Sequence, residues 1–341
     1  MKIAVIGSGS WGTALASILG ENHQEVVLWS RNPQLAQVIT EGRENPAYLP
    51  GVKLPASVSV TSELHAAANG AEIIVIVTPS HVMRETAAKI ASVVSKDAII
   101  VCATKGLEIG SLKRMTQVIS EEIPLLSERL AVLSGPNHAE EVGTKQPSAT
   151  VVGSPWRSIA EQVQEAFITP YFRVYTNPDN IGVELGGALK NIIALGTGAC
   201  DGLGFGDNAK AAFMTRGLAE ITRLGMAMGA NPLTFAGLAG IGDLIATCTS
   251  RHSRNRRAGL LLAEGKSVEE IQKATNMVVE GIRSTKAAYQ LAKQYNVEMP
   301  ITTEIFRVLY EGADPKDAVG QLMSRGRTHE NEEVANIDNW L

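Results

Sequence analysis

Short, nearly unbroken apolar runs recur through the first half of the chain: KIAVI, EVVLWS, EIIVIV, AIIVCA and RLAVLS. Runs of this length without polar alternation predict strands buried on both faces, as in a parallel sheet with helices above and below it. Between them lie stretches with helical spacing, such as WGTALASILGE and SLKRMTQVISEEI, so the order is that of βαβ units. TVVG (150–153) and FRVYT (172–176) predict two more strands flanking a helix over 155–166. After NPDN (177–180) the strand-like runs stop, and the remainder reads as helices punctuated by Gly, Pro and Asn. Asp179 or Asn180 is placed to cap a long helix that begins near Ile181. The pattern predicts an α/β fold: a doubly wound sheet over 1–179 followed by an all-helical domain over 180–341.

Composition adds mostly exclusions. A chain of 341 residues is long enough for two domains with separate cores. With 45% hydrophobic and 19% charged residues it has the balance of a globular protein. The formal net charge of −4 offers no basic field for nucleic acid, so any bound phosphate must be met locally. Cys102, Cys200 and Cys248 are scattered, without a CxxC pair, which points to a reducing compartment rather than a disulfide framework. The histidines are dispersed and form no HExxH, so no metal site is expected. The apolar start is broken by Gly7 and Gly9 and suits neither a signal peptide nor a spanning helix. A cytoplasmic location without a membrane anchor is expected.

The first strand runs directly into Gly7-x-Gly9-x-x-Gly12. The motif alone is permissive, but here it follows a strand and opens a helix at the start of a βαβ unit, the context of a Rossmann-type dinucleotide site. Gly7 permits the tight turn, Gly9 lets the backbone approach a pyrophosphate, and Gly12 allows close helix–strand packing. The helix N-terminus then faces the phosphates. The ribose reader of such a site lies roughly 20 residues further on and is usually Asp or Glu. This chain has VLWSRN instead, with Arg31 close to that place. An arginine pairs with a 2′-phosphate that a carboxylate would repel, so NADPH is favoured over NADH.

Three clusters carry candidate chemistry. In GVELGGALKNIIALGTGACDG (182–202), Lys190 is the one charged residue between Glu184 and Asp201. Its helical neighbours are Gly186, Gly187, Ile193 and Ala194, which do not make a solvated face. A lysine in such surroundings is costly unless it has partners or a task. Lys105, in VCATKGLE, follows a strand at the sheet edge where ligands bind in open α/β folds. Two lysines facing one site lower each other's pKa, bringing one toward acid–base use near neutrality. The third cluster, GIGDLIATCTSRHSRNRR (240–257), places Asp243 and Thr247 in an apolar stretch, then Ser253, Arg254 and Asn255, a donor set suited to a phosphate.

Behind the glycine turn, the segments GSGSWGTALA, ATKGLE, LSGPNHAEEV, GVELGGALKNIIALGTGACDGLGFGDNAKAAFMTRGLAE, GIGDLIATCTSRHSRN and VVEG resemble the bacterial-type NAD(P)-dependent glycerol-3-phosphate dehydrogenases. They span nearly the whole chain in that family's order. The resemblance implies reversible reduction of dihydroxyacetone phosphate to sn-glycerol 3-phosphate by NADPH or NADH, the entry to glycerophospholipid synthesis, in a homodimer. It implies cofactor contacts from Ser10, Trp11, Arg31, Lys105, Ala139, Arg254, Val278 and Glu280. Gly135, Lys105, Asp243, Ser253, Arg254 and Asn255 would hold substrate, with Lys190 as the proton-transfer residue. Lys105 and Asn191 would stabilise the developing alkoxide. Asn137 departs from the family, which usually carries Ser or Thr after SGP; its amide can still donate and accept toward substrate.

Two other readings stand beside this one. A related β-hydroxyacid dehydrogenase, for example one acting on 6-phosphogluconate, would share the two-domain plan and the lysine–asparagine pair; the SRN cluster and the GIGDL segment favour glycerol phosphate. A non-catalytic NADPH-binding module would share the glycine turn but has no use for a buried Lys190.

Overall fold

The computed structural model describes residues 1–23, 25–275, 278–327 and 329–330. The last eleven residues of the expected second domain, 331–341, therefore lie outside the described residues.

Among the described residues, ten strands lie in the first half: β1 (Lys2–Ile6), β2 (Glu25–Trp29), β3 (Glu44–Asn45), β4 (Leu49–Lys53), β5 (Val58–Thr61), β6 (Ile73–Ile76), β7 (Ile99–Cys102), β8 (Leu130–Ser134), β9 (Ser148–Gly153) and β10 (Phe172–Asn177). Among them run helices α1 (Ser10–Asn22), α2 (Pro33–Gly42), α3 (Leu64–Ala68), α4 (Met83–Ile90), α5 (Met115–Glu122), α6 (Ala139–Gly143) and α7 (Arg157–Phe167). The remainder is helical: α8 (Asn180–Gly202), α9 (Asp207–Ala227), α10 (Pro232–Phe235), α11 (Asp243–Thr249), α12 (Arg254–Ala263), α13 (Val268–Lys273), α14 (Glu280–Tyr295), α15 (Pro300–Tyr310) and α16 (Pro315–Met323).

Eight strands form one sheet in the order β10-β9-β8-β7-β6-β1-β2-β5. Every pairing in it is parallel except β8 with β9, so β9 and β10 run against the other six. The sheet is covered on both faces. One face packs Ile3, Val5, Val75 and Val101 against α1 and α7. The other packs Ile6, Ile74, Ile76 and Ile100 against α4 and α5. This two-sided burial is why the strands read as continuous apolar runs. Because β1 lies between β2 and β6, the chain reverses its direction of winding there. The crevice beyond the C-terminal ends of β1 and β6 is the switch point where such sheets bind ligands.

Two local expectations need correction. The stretch from Ser111 is helical only from Met115; Leu112 takes a left-handed conformation (φ 60°), and Leu107 pairs with Arg114, closing a short hairpin. Strand β5 and the β3–β4 hairpin were not expected, since VSVT and LPGVK are short and interrupted by polar residues and glycine. Segment 232–249 is long and apolar enough by composition to span a membrane, but it is broken into short helical pieces with a non-helical Gly240.

The helical half is built around α8, which is buried along almost its whole length. Asp179 caps it by accepting from Gly182 N–H. Small residues let its neighbours approach: a Cβ at Gly186 would strike the Ala239 carbonyl, one at Gly198 the Arg256 carbonyl, and one at Gly259 of α12 the Leu195 carbonyl. The crossing of α8, α11 and α12 brings Lys190, Asp243 and Asn255 toward one another.

Candidate active site

The glycine turn has the geometry a dinucleotide requires. Gly7 sits at φ 124°, open to glycine at little cost, and a Cβ there would come within 2.9 Å of the Val77 carbonyl oxygen. A Cβ at Gly12 would collide with the Gly7 carbonyl, so the third glycine serves the strand–helix contact. A Cβ at Gly9 would meet no protein atom, so packing within the chain does not demand a glycine there. Close approach of a phosphate group does, and the turn fits a dinucleotide. Asn45 fixes the turn from behind, donating to the Ser8 carbonyl and to Thr13 Oγ1 at 2.8 Å each.

Other expected nucleotide contacts are spread around this crevice. Ser10 opens α1 and donates to the Tyr48 carbonyl, and the Trp11 indole N–H is buried with no protein acceptor. At the end of β2, the Ser30 hydroxyl is tied to Ser8 Oγ at 2.8 Å, while Arg31 is exposed beside it. Asn32 then caps α2 through Gln34 N–H and Leu35 N–H. None of Ser30, Arg31 and Asn32 is a carboxylate. Glu280, at the start of α14, accepts from Ser80 N–H (3.2 Å) and Ser80 Oγ (2.9 Å), bridging the helical half to the loop after β6. Ala139 opens α6 and is buried; the Val278 carbonyl accepts from Arg254 Nη1.

At the centre, Lys105 and Lys190 hold the two oxygens of one carboxylate. Lys190 Nζ donates to Asp243 Oδ1 at 2.5 Å and to Thr247 Oγ1; Lys105 Nζ donates to Asp243 Oδ2 at 2.8 Å and to the Gly135 carbonyl at 3.1 Å. Lys190 is 6% exposed and Asp243 1%, so this is a buried cluster. Burial pulls the Lys190 ammonium down to about 8, with the Lys105 cation adding to the drop and the Asp243 carboxylate opposing it. An ammonium has three donors. Among the described residues each lysine spends two of these on the protein, leaving one N–H.

Gly135, at φ 151°, turns the chain so that its carbonyl meets Lys105. Asn137 anchors its Nδ2 on the Ala149 carbonyl, leaving Oδ1 buried without a protein donor. Ser253 caps α12 through Arg256 N–H, and Arg254 begins that helix, so the SRN segment lies at a helix N-terminus. Asn255 donates to Asn191 Oδ1 at 2.7 Å and accepts from Gly281 N–H at 2.9 Å, joining α8, α12 and α14.

Several residues beyond the candidate set also shape this site. Asn45, Ser80, Arg114 and Glu184 make the bonds that hold its walls. Glu184 carried a usable signal, as a carboxylate in an apolar helix less than two turns before Lys190. Asn45 and Ser80 carried none, because their partners are distant in the chain.

Two family models cover most of the chain: the NAD-dependent glycerol-3-phosphate dehydrogenase N-terminus over residues 2–160 and the C-terminus of the same family over 179–320. The chain is 58% identical over 335 residues to glycerol-3-phosphate dehydrogenase (NAD(P)+) of Pelotomaculum thermopropionicum, covering 98% of this chain and 96% of that one. It is 58% identical over 336 residues to the enzyme of that name from Desulfitobacterium hafniense, covering 98% and 95%. Its fold matches the crystal structure of glycerol-3-phosphate dehydrogenase from Coxiella burnetii with a TM-score of 0.91 and 39% identity, over 95% of this chain and 99% of that one. With a Rossmann-type sheet, a helical second half and this sequence identity along nearly its full length, the chain belongs to the NAD-dependent glycerol-3-phosphate dehydrogenase family.

Proposed function

We propose that the protein catalyses the reversible NAD(P)H-dependent reduction of dihydroxyacetone phosphate to sn-glycerol 3-phosphate. The observation that carries this is the Lys190–Asp243–Lys105 cluster, two lysines on one buried carboxylate beside the SRN start of α12. The nicotinamide cofactor supplies the hydride when bound. Gly7, Gly9, Ser10, Trp11 and Gly12 would hold its pyrophosphate end, and Arg31 a 2′-phosphate, so NADPH is the preferred form. Lys105, Ala139, Arg254, Val278 and Glu280 would complete that wall.

The chain's own part in the reaction is proton transfer and charge placement. Lys190, as ammonium, donates its remaining proton to the oxygen that becomes the C2 hydroxyl; in oxidation the neutral amine takes it back. Thr247 and Asp243 fix Nζ, so the proton is delivered along one direction. Lys105 offers its free N–H to the same developing charge, with Asn191 oriented behind it by Asn255. Ser253 and Arg254 grip the phosphate remote from the reacting carbon, so binding energy there orients the ketone. Gly135 and Asn137 border the substrate. A dianionic substrate also offsets the net positive charge of two lysines on one carboxylate.

Residues 1–179 would carry most of the cofactor contacts and 180–341 the proton-transfer lysine, with Lys105, Gly135 and Asn137 reaching the substrate from the first unit and Arg254, Val278 and Glu280 reaching the cofactor from the second. Supply of glycerophospholipid synthesis in the cytoplasm, by a homodimer, is the setting that goes with this activity. The test is steady-state oxidation of NADPH, and separately NADH, with dihydroxyacetone phosphate. Turnover that depends on the phosphorylated ketone supports the proposal. Turnover only with 6-phosphogluconate and NADP+, or cofactor binding without turnover, contradicts it.

A further inference from the structure

Lys105 and Lys190 reach Asp243 from different elements, so something must hold those elements in register. Lys105 opens the hairpin that follows β7, closed by the Leu107–Arg114 pairing and by the Glu108 N–H to Lys113 carbonyl bond at 3.0 Å. At its far end Arg114 Nη1 donates to Glu184 Oε2 at 2.7 Å. Glu184 also accepts from Thr116 N–H at 2.8 Å and Thr116 Oγ1 at 2.7 Å, so both carboxylate oxygens are satisfied. The pair is nearly dry, with side chains 11% and 1% exposed. Glu184, Gly187 and Lys190 step along α8 at three-residue intervals. A Cβ at Gly187 would lie 2.5 Å from Ser134 Oγ and 3.6 Å from Lys105 Cγ, so the Lys105 side chain passes close to the helix at a position where only glycine leaves room. A second anchor, Arg84 on Glu108, ties the hairpin only to its own half of the molecule. Arg114–Glu184 ties it to the helix that carries Lys190.

We propose that Arg114 and Glu184 are positioning residues that set Lys105 on Asp243 and thereby fix the distance between the two active-site lysines. This rests on the proposed roles of Lys190 and Lys105. The charged and titratable groups facing Lys190 are Asp243 and Cys248 of α11, Lys105 of the hairpin, and His138 before α6. Loosening the hairpin moves only Lys105 among them. Taking a like charge away from Lys190, and leaving Asp243 to Lys190 alone, both favour the ammonium. Lys190 then loses its proton at higher pH.

The test is the pH dependence of kcat/KM for glycerol 3-phosphate oxidation, where Lys190 must be neutral, in the wild type, Arg114→Ala and Arg114→Lys. In Arg114→Ala, kcat falls by about tenfold or more through lost positioning, and the rising limb moves up by at least about 0.5 pH unit. The KM for NADP+ stays near the wild-type value. Arg114→Lys, which can still reach Glu184, returns the limb toward wild type. A general loss of packing would instead lower activity at every pH without moving the limb. If Arg114→Ala does not fold, Glu184→Gln, which keeps an acceptor for Thr116 and gives up the charge, is measured for the same shift. A folded variant with an unmoved limb overturns the positioning role, as does failure of Arg114→Lys to restore it or failure of both Arg114→Ala and Glu184→Gln to fold. A wild type that does not oxidise glycerol 3-phosphate overturns the underlying activity instead.

Discussion

Asp243 and Lys190 lie 53 residues apart in the chain and 2.5 Å apart in the fold. The carboxylate is what allows a lysine to be both buried and charged. Without it, burial would drive the amine neutral and the site would hold no proton to give.

Asp243→Asn therefore moves the pH profile in a stated direction. In the wild type, reduction of dihydroxyacetone phosphate needs the Lys190 ammonium, so kcat/KM falls as pH rises through about 8. The carboxylate raises the pKa of Lys190, and its removal lowers it. The falling limb moves to lower pH, and the variant loses roughly 3–5 kcal/mol of stability by leaving two lysines without their counter-ion. A limb that stays in place or moves alkaline contradicts the pairing.

Cofactor choice is predicted to turn on Arg31. It is exposed at the end of β2, where the sequence carries no Asp or Glu, and Ser30 next to it is already committed to Ser8. Arg31→Asp places a negative charge where a 2′-phosphate would sit, so the KM for NADPH rises much more than that for NADH. Equal effects on both cofactors would show that Arg31 does not read the 2′-phosphate.

Phosphate recognition is predicted to depend on Arg254. Arg254→Ala removes a charge-assisted donor, costing roughly 2–4 kcal/mol in kcat/KM for dihydroxyacetone phosphate. Dihydroxyacetone, without the phosphate, never used that contact and its low kcat/KM barely changes. Equal losses for the two ketones would assign Arg254 to the cofactor or to the fold.

Much of this architecture was legible because it is local. Strands buried on both faces must be apolar throughout, so KIAVI and AIIVCA announce themselves, and a lysine flanked by Gly186, Gly187, Ile193 and Ala194 stands out on its helix. Asp243 was visible as a lone charge in an apolar stretch, yet its hold on both lysines was not, because the crossing of α8 and α11 creates it. The same holds for Asn191 with Asn255, which look like two separate ligand contacts in the sequence and are bonded to each other in the fold. Arg114 looked like part of a helix until Leu112, in the left-handed region, broke the stretch into a hairpin and a shorter α5. Bonds that cross between halves of the chain leave no periodic trace.

The central claim is that Lys190 transfers the proton, and Lys190→Ala tests it most directly. The measurement is kcat for NADPH-dependent reduction of dihydroxyacetone phosphate, alongside NADPH affinity by fluorescence titration. Removing a general acid costs about 10²–10⁴-fold in rate, or about 3–5 kcal/mol of barrier lowering, and Lys105 with its one free N–H recovers little of that. The account predicts a loss in this range with cofactor affinity close to wild type. A variant that binds NADPH and keeps more than roughly a tenth of wild-type kcat would contradict it.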